Sequence, residues 1–370
     1  MDAPSLTSYD PSLSRAALLS PPQLISFHTI ESALSNLLLS PSGAELILSS
    51  QADAYRLSSS GACAALPIQT AGQIPQPPLR AGAGAQMCIK TGYAHGDAVL
   101  VSKAAAGDGR GNNTGAVSVY SQTSLRLTAV LCDGGILTEA RTAAASAYAC
   151  RAAVRRAKAT VTGVGIVGGG VQAVWQLRLL GACGAVDPAV AQVVVKTRSR
   201  ASAEAFVRRM AASSFPPDRR WRFAHFEDSV RFRRCQLVLT LTTSRSPVLE
   251  MEDVVLPSPE PGNTFLHVSA VGSDSPGKCE ISTELLSSAD LLLVDSIAQS
   301  KERGEFQPGR WGEGTVPDLV EIGTEGTVVN GALAAGTDGH LFTVFDSSGI
   351  AMQDVQMAKL MAGHLQSGAS

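Results

Sequence analysis

The chain has 370 residues, 45% of them apolar and 17% charged, with a formal net charge of −2. That length exceeds one ordinary core, so two domains are expected, and the near-neutral balance gives no electrostatic reason for nucleic acid or an anionic membrane as a partner. Seven scattered cysteines with no CxxC pair and six dispersed histidines with no HxH or HExxH spacing argue against a disulfide framework or a metal site, and for a reducing compartment.

In chain order, residues 1–22 are rich in Ser and Pro, a composition prone to disorder. They lack the charged and apolar regions of a secretory signal, and no stretch reaches the roughly 18 apolar residues of a membrane span, so the cytosol is the expected location. Apolar residues recur at helical spacing from Leu24 to Leu39, which predicts an amphipathic helix. Residues 54–102 read as short strand-like pieces among Pro and Gly, notably Gln73 to Gln86, and Lys103 to Gly115 as an exposed loop rich in Gly, Asn and Ala. The sequon at Asn112 reads as incidental without a secretory route. Strands are expected at Val117–Tyr120 and Leu127–Cys132, then an Ala-rich helix from Thr138 to Lys158 whose small side chains allow close packing.

From Thr160 the pattern alternates: strand 161–167, helix 171–181, strand 192–197, helix 201–212, and further strands at 236–241, 264–271 and 291–294. Such alternation predicts a parallel sheet with helices on both faces, an α/β architecture. Leu341–Phe345 reads as a strand and Ala351–Leu365 as a helix that returns to the N-terminal domain.

The apolar run Val164–Val167 ends in Gly168-x-Gly170-x-x-Ala173, and Val171, Gln172 and Ala173 open a helix. In that strand–turn–helix setting the first glycine permits the turn, Gly170 lets the backbone approach a pyrophosphate, and Ala173 allows close helix–strand packing. Unpaired N–H groups at the helix start then face the phosphates. An NAD-binding unit often ends its second strand in an Asp or Glu that holds the ribose 2′-hydroxyl. This chain has Lys196-Thr197-Arg198-Ser199-Arg200 instead. Thr197, Arg198, Ser199 and Arg200 suit a 2′-phosphate, so NADP(H) is favoured, with NAD(H) kept open. Read as surface chemistry alone, the same turn is a solvated basic loop.

Three other segments lie where chemistry is expected. Asp133-Gly134-Gly135 turns into a helix that carries Arg141 and Thr142 in its first turns, an anion site in the making. Lys90 closes the short apolar strand Met87-Cys88-Ile89, and Asp274 follows the strand near Val268–Val271, at the carboxyl-end crevice of an open α/β sheet. Taken singly, Arg141 reads more readily as a salt-bridged helix residue, Lys90 as a surface strand end and Asp274 as a turn cap.

Together, DGGILTEARTAAASA (133–147), GIVGGGVQA (165–173), HVSAVGSDSPGKCEI (267–281), LLLVDSIAQSKERGE (291–305) and TVFDSSGIAMQDVQMAKL (343–360) resemble, in order and spacing, the ornithine cyclodeaminase/mu-crystallin family over roughly 130 to 365. The resemblance implies a substrate and dimerisation domain, expected from 1–143 and 325–370, and a Rossmann NAD(P)-binding domain from 144–324. It implies a homodimer and hydride transfer at the α-carbon of an amino acid or cyclic imino acid. Lys90 and Arg141 map onto the family's carboxylate clamp, and Arg56 onto its first arginine, with Arg80 competing for that role. Asp274 matches the aspartate that cyclodeaminases use near the α-carbon and amine. Thr142, Thr242 and Val271 complete the expected cofactor contacts.

Residue chemistry supports those types. A substrate carboxylate buried beside a nicotinamide needs paired cations, or desolvation opposes binding. Asp274 and Lys90 can manage the imine proton. The chain departs from the family in having no Asp or Glu between Ala54 and Gly96, where cyclodeaminases carry an acid near the substrate amine, and in its Ala/Gly/Pro-rich piece 68–86. The leading expectation is therefore an NADP(H)-dependent ketimine reductase. The alternatives are an ornithine or lysine cyclodeaminase, an amino-acid dehydrogenase or synthase, and, in another class, a non-catalytic binding protein for NADPH or a small ligand.

Overall fold

A computed structural model describes residues 21–72, 86–107, 113–224, 228–258, 264–311, 316–329, 332–334 and 340–367. The Ser/Pro-rich start up to residue 20, most of 73–86 with Arg80, and Asn112 lie outside the described residues.

The first layer opens with strand β1 (Gln23–Ile25) and helix α1 (Phe27–Leu38). Ser26 caps α1 by accepting the Thr29 N–H at 3.3 Å. Helix α2 (Pro41–Ser59) follows, with Ser40 as cap and Pro41 in its first turn. Its final residues had been expected as strand. Ala44, Ile47, Leu48, Gln51, Ala54 and Tyr55 are buried along one helical stripe, which explains why this segment folds as a helix.

Strands β2 (Cys63–Ala65), β3 (Gln69–Gly72), β4 (Gln86–Ala94), β5 (Val99–Gly107), β6 (Asn113–Ser121) and β7 (Leu127–Leu131) complete a seven-stranded sheet. Its order is β1-β7-β6-β5-β4-β2, with β3 also paired to β4. All pairs are antiparallel except β1 with β7. The loop expected from Lys103 to Gly115 is corrected here: Lys103 pairs with Val117 and Gly107 with Asn113. Ala and Gly have weak strand preference on their own, and cross-strand pairing overrides it.

The second layer is a parallel sheet of eight strands: β8 (Gly163–Val167), β9 (Gln192–Lys196), β10 (Arg222–Phe223), β11 (Leu237–Thr240), β12 (Phe265–Ala270), β13 (Leu291–Val294), β14 (Val320–Glu321) and β15 (Leu341–Asp346). The order is β10-β9-β8-β11-β12-β15-β13-β14, the doubly wound arrangement expected. The strand at 341–346 had been assigned to the first domain as part of 325–370. It lies inside this sheet, between β12 and β13. An apolar strand buried on both faces reads the same wherever it docks, so pairing alone decides its layer.

Helix α3 (Ile136–Ala157) runs between the layers and packs against α2, β12, β15 and helix α4 (Val171–Ala182). Eight of its alanines, among them Ala140, Ala144 and Ala147, are buried, so backbone can approach backbone. Helices α5 (Arg200–Ala211) and α6 (Ile297–Arg303) belong to the parallel sheet. The last helix, α7 (Ala351–Ser367), packs on α2, α3, β4 and β5. One apolar cluster runs through both layers, and a second is built on alternate residues of the parallel sheet.

Candidate active site

The dinucleotide motif forms the turn its spacing predicts. Gly168 has φ +103°, and a Cβ there would meet the Leu241 carbonyl oxygen at 2.9 Å. Gly170 is the N-cap of α4 and gives it no side-chain cap, and nothing lies within 4 Å of where its Cβ would be. The N–H groups that open α4 are therefore free for an anion, on an open side of the turn. Ala173 is fully buried against the sheet, whereas Val171 is exposed. The cleft above has a volume of about 790 Å³ and is lined by Gly168, Gly170, Thr197, Arg198 and Thr242 among others. That size falls within the ordinary range for cofactor sites, and the residues present fit a dinucleotide.

A second cavity of about 400 Å³ shares Lys196, Thr197, Arg198, Glu252 and Asp253 and adds Ser199, Arg200 and Arg233. The turn is less basic than its sequence suggests. Lys196 pairs with Asp253 at 2.6 Å, and Arg200 Nε donates to Glu204 at 2.8 Å. Arg198, exposed over both cavities, has no ion-pair partner among the described residues. Ser199 caps α5, and Thr197 Oγ1 donates to the Ser199 carbonyl. Val271 is buried, and its N–H donates to the Thr240 carbonyl.

The substrate side is built from β4, β5, α2, α3 and α7 and from the loop after β15. Lys90 on β4 and Lys103 on β5 are register partners, so their ammonium groups leave the same face. Asp354 on α7 accepts Lys103 Nζ at 2.8 Å and Arg141 Nε at 3.2 Å through the same oxygen. Arg141 Nη1 also donates to Gln353 Oε1 at 2.9 Å, and Gln353 Nε2 donates to the Tyr55 hydroxyl. Lys90 Nζ donates to the Gly349 carbonyl at 2.5 Å. Gly349 has φ +83°, and a Cβ there would come 2.8 Å from Arg141 and 3.3 Å from Lys90, so only glycine lets both cations converge. Asp295 fixes that turn by accepting the Gly349 N–H at 2.5 Å and the Ser348 hydroxyl at 2.9 Å.

All three cations are buried, and one carboxylate bonds two of them directly. Burial, reinforced by the neighbouring Arg141 charge, pulls the Lys90 ammonium down to about 8. For Asp354 the charges of Lys103, Arg141 and Lys90 outweigh the upward push of burial, and its carboxyl falls to about 2. An incoming anion adds a second direct partner for cations that share one bonded carboxylate. The clamp and the cofactor turn are tied together: Gln172 Nε2 donates to the Glu139 carbonyl, two residues from Arg141, and Trp175 Nε1 donates to the Glu139 carboxylate at 2.9 Å.

Lys90 and Arg141 thus meet, and Thr142 follows on the same helix, half-buried. Arg56 does not join them. Its side chain is 71% exposed at the end of α2 and pairs with Asp53, while its neighbour Tyr55 turns inward. Helical periodicity permits one of two adjacent residues to face the core, and the apolar ring takes that side. Lys103 stands in the cluster instead. Its signal was a lone lysine in an apolar, small-residue stretch, concealed by the loop assignment. Asp354 and Gln353 lie within 343–360, where nothing local to the sequence marks either as a partner of these cations. Asp274 lies just past β12, 54% exposed, and pairs with Lys278 at 2.6 Å.

Fold and cleft define a Rossmann-type dinucleotide-binding protein. The chain belongs to the ornithine cyclodeaminase/mu-crystallin family, which matches residues 105–369. It is 35% identical to alanine dehydrogenase of Archaeoglobus fulgidus over 128 residues, a segment that spans 35% of this chain and 37% of that protein. It is 30% identical to the uncharacterized cyclodeaminase y4tK of Sinorhizobium fredii, over 66% of this chain and 67% of that one. Among solved structures, the archaeal alanine dehydrogenase dimer with bound NAD superposes with a TM-score of 0.73 at 23% identity, covering 94% of this chain and 97% of that chain. Members of the family are NAD(P)-dependent imine reductases and amino-acid cyclodeaminases.

Proposed function

We propose that this protein is an NADP(H)-dependent ketimine reductase acting on a cyclic imino acid or an open α-imino acid. The observation that carries the reading is the buried cluster of Lys90, Lys103 and Arg141, held by Asp354 and tied to the helix that opens the dinucleotide cleft. The cluster binds the substrate carboxylate and fixes the α-carbon, where proximity favours transfer. When bound, a reduced nicotinamide supplies the hydride. The imine nitrogen takes a proton, for which Lys90, buried with its ammonium near 8, is the donor in this reading. Asp274, at the carboxyl end of β12, is the second proton-handling residue in this reading, once its ion pair with Lys278 opens. The first layer with α7 acts as the substrate domain, the assembly is a homodimer, and the location is cytosolic.

Absorbance at 340 nm with NADPH and a panel of cyclic imino acids tests the reading, run beside an ammonia assay on L-ornithine and L-lysine. NADPH consumption with an imine supports it. Ammonia release without net cofactor turnover would replace it with cyclodeamination, the reading that Asp274 favours. Cofactor binding with neither activity would leave a binding protein.

The preference for NADP(H) rests on Arg198, a cation over both cavities with no ion-pair partner among the described residues. Arg198→Ala is expected to weaken NADPH by roughly 10- to 100-fold and leave NADH nearly unchanged, since one charge-assisted phosphate contact is worth roughly 1.5–3 kcal/mol. Tighter binding of NADH than NADPH by the natural chain would overturn the preference.

A further inference from the structure

We infer that Glu280 is the positioning residue for the nicotinamide half of the cofactor crevice. The inference rests on the dinucleotide reading of the cleft. Glu280 lies on the short strand Cys279–Ile281 and is fully buried. Its two carboxylate oxygens are divided between two loops: one accepts the Thr242 N–H at 2.5 Å, the other the Gly272 N–H at 2.8 Å. Thr242 follows β11, and Gly272 follows β12. Both loops leave the carboxyl ends of adjacent parallel strands, on the side of β8 away from β9. In a doubly wound sheet the ligand spans the switch point at β8. The adenosine half therefore lies between the β9 turn and the loop after β11, which line one cavity, and the nicotinamide half extends past them toward the loop after β12.

Three details show that the clasp sets backbone position. Thr242 lines the cleft, with Thr243 and Ser244 after it. The same loop backs the phosphate turn, for a Cβ on Gly168 would lie 3.1 Å from Thr242 Cγ2. Between the clasped loops there is no spare room: a Cβ on Gly272 would fall 2.0 Å from the Thr242 carbonyl oxygen and 2.7 Å from the Glu280 carboxyl carbon. Glu280 is itself anchored from behind, where its own N–H donates to Glu305 at 2.8 Å and Glu305 pairs with Arg310. A carboxylate accepts from both loops at once, whereas a carboxamide offers one accepting oxygen and sets its NH₂ against the other N–H. Glu280 reaches the cofactor through these two loops.

The test compares whole dinucleotides with fragments that carry only the adenosine half, by calorimetric titration of the purified protein. For Glu280→Ala the dissociation constants of NADPH and NADH are expected to rise tenfold or more, and for Glu280→Gln by a smaller factor. The constants for 2′,5′-ADP and AMP should rise by a clearly smaller factor, because those fragments meet the loop after β11 but do not reach the loop after β12. Gly272→Ala, which wedges the same two loops apart and keeps the carboxylate, should give the same split. Unchanged NADPH binding in Glu280→Ala would overturn the inference, as would a loss shared equally by dinucleotides and fragments, the mark of general structural damage. If the natural chain bound neither dinucleotide, the cofactor reading would fall first and this inference with it.

Discussion

Lys90 and Asp354 carry the sharpest residue-scale expectations. The Lys90 ammonium is held near 8, so it is protonated at neutral pH and loses its charge as pH rises through that value. kcat/KM for an imino acid should therefore fall about tenfold per unit above pH 8, and Lys90→Met should be slower at all pH and lose that limb. A profile in Lys90→Met identical to that of the natural chain would remove Lys90 from the site. Asp354 behaves oppositely. Its folded value of about 2 lies below the ordinary 3.8, so its stabilisation is complete above 3.8 and is lost as pH falls through 2. Asp354→Asn removes the one carboxylate bonded to Lys103 and Arg141, and a loss of about 3–5 kcal/mol is expected by urea titration. Arg56→Ala, by contrast, should change substrate KM little, because that side chain stands in solvent.

Among the elements, α3 does the most. It carries Arg141 at one end, touches both layers, and meets α4 through Glu139. Its closeness depends on alanine. Ala144 has no exposed surface, so Ala144→Leu has no void to fill and should cost about 1–3 kcal/mol or more through forced displacement of its neighbours. A denaturation midpoint equal to that of the natural chain would show that the helix tolerates a wider spacing. The helix is also an example of what pattern reading does well: its Gly-Gly entry, its Ala run and its approximate ends were all legible. The segments 41–59 and 103–107 were not. In the first, small polar residues near the C-terminal end diluted the helical stripe. In the second, alanines that sit on a strand only because Val117 and its neighbours pair with them carried no strand signal of their own.

At the scale of the molecule, the apolar core is continuous from α1 and α2 through α3 into β8 and β9. Two separately melting units would require that core to divide. A single calorimetric unfolding transition is expected, shifted as a whole by cofactor, with about 2.7 kcal/mol of added stability at a hundredfold excess of ligand over Kd. Two resolved transitions, one insensitive to NADPH, would contradict it. Among the described residues no helix is long and apolar enough to cross a membrane.

Sequence by itself determined the local chemistry: a glycine turn between strand and helix, a β-α-β alternation, and an arginine and a lysine of the right type. These are short-range properties, set by backbone freedom, side-chain period and motif spacing within a few residues. Tertiary structure alone decided which cations share one carboxylate. Lys103 joins Lys90 through strand register, Asp354 arrives from 251 positions along the chain, and Arg56 is turned away by the packing of its neighbour Tyr55. It also decided that β15 lies in the parallel sheet and that Glu280 holds two loops. Long-range pairing of this kind follows from burial and hydrogen-bond satisfaction over the whole molecule.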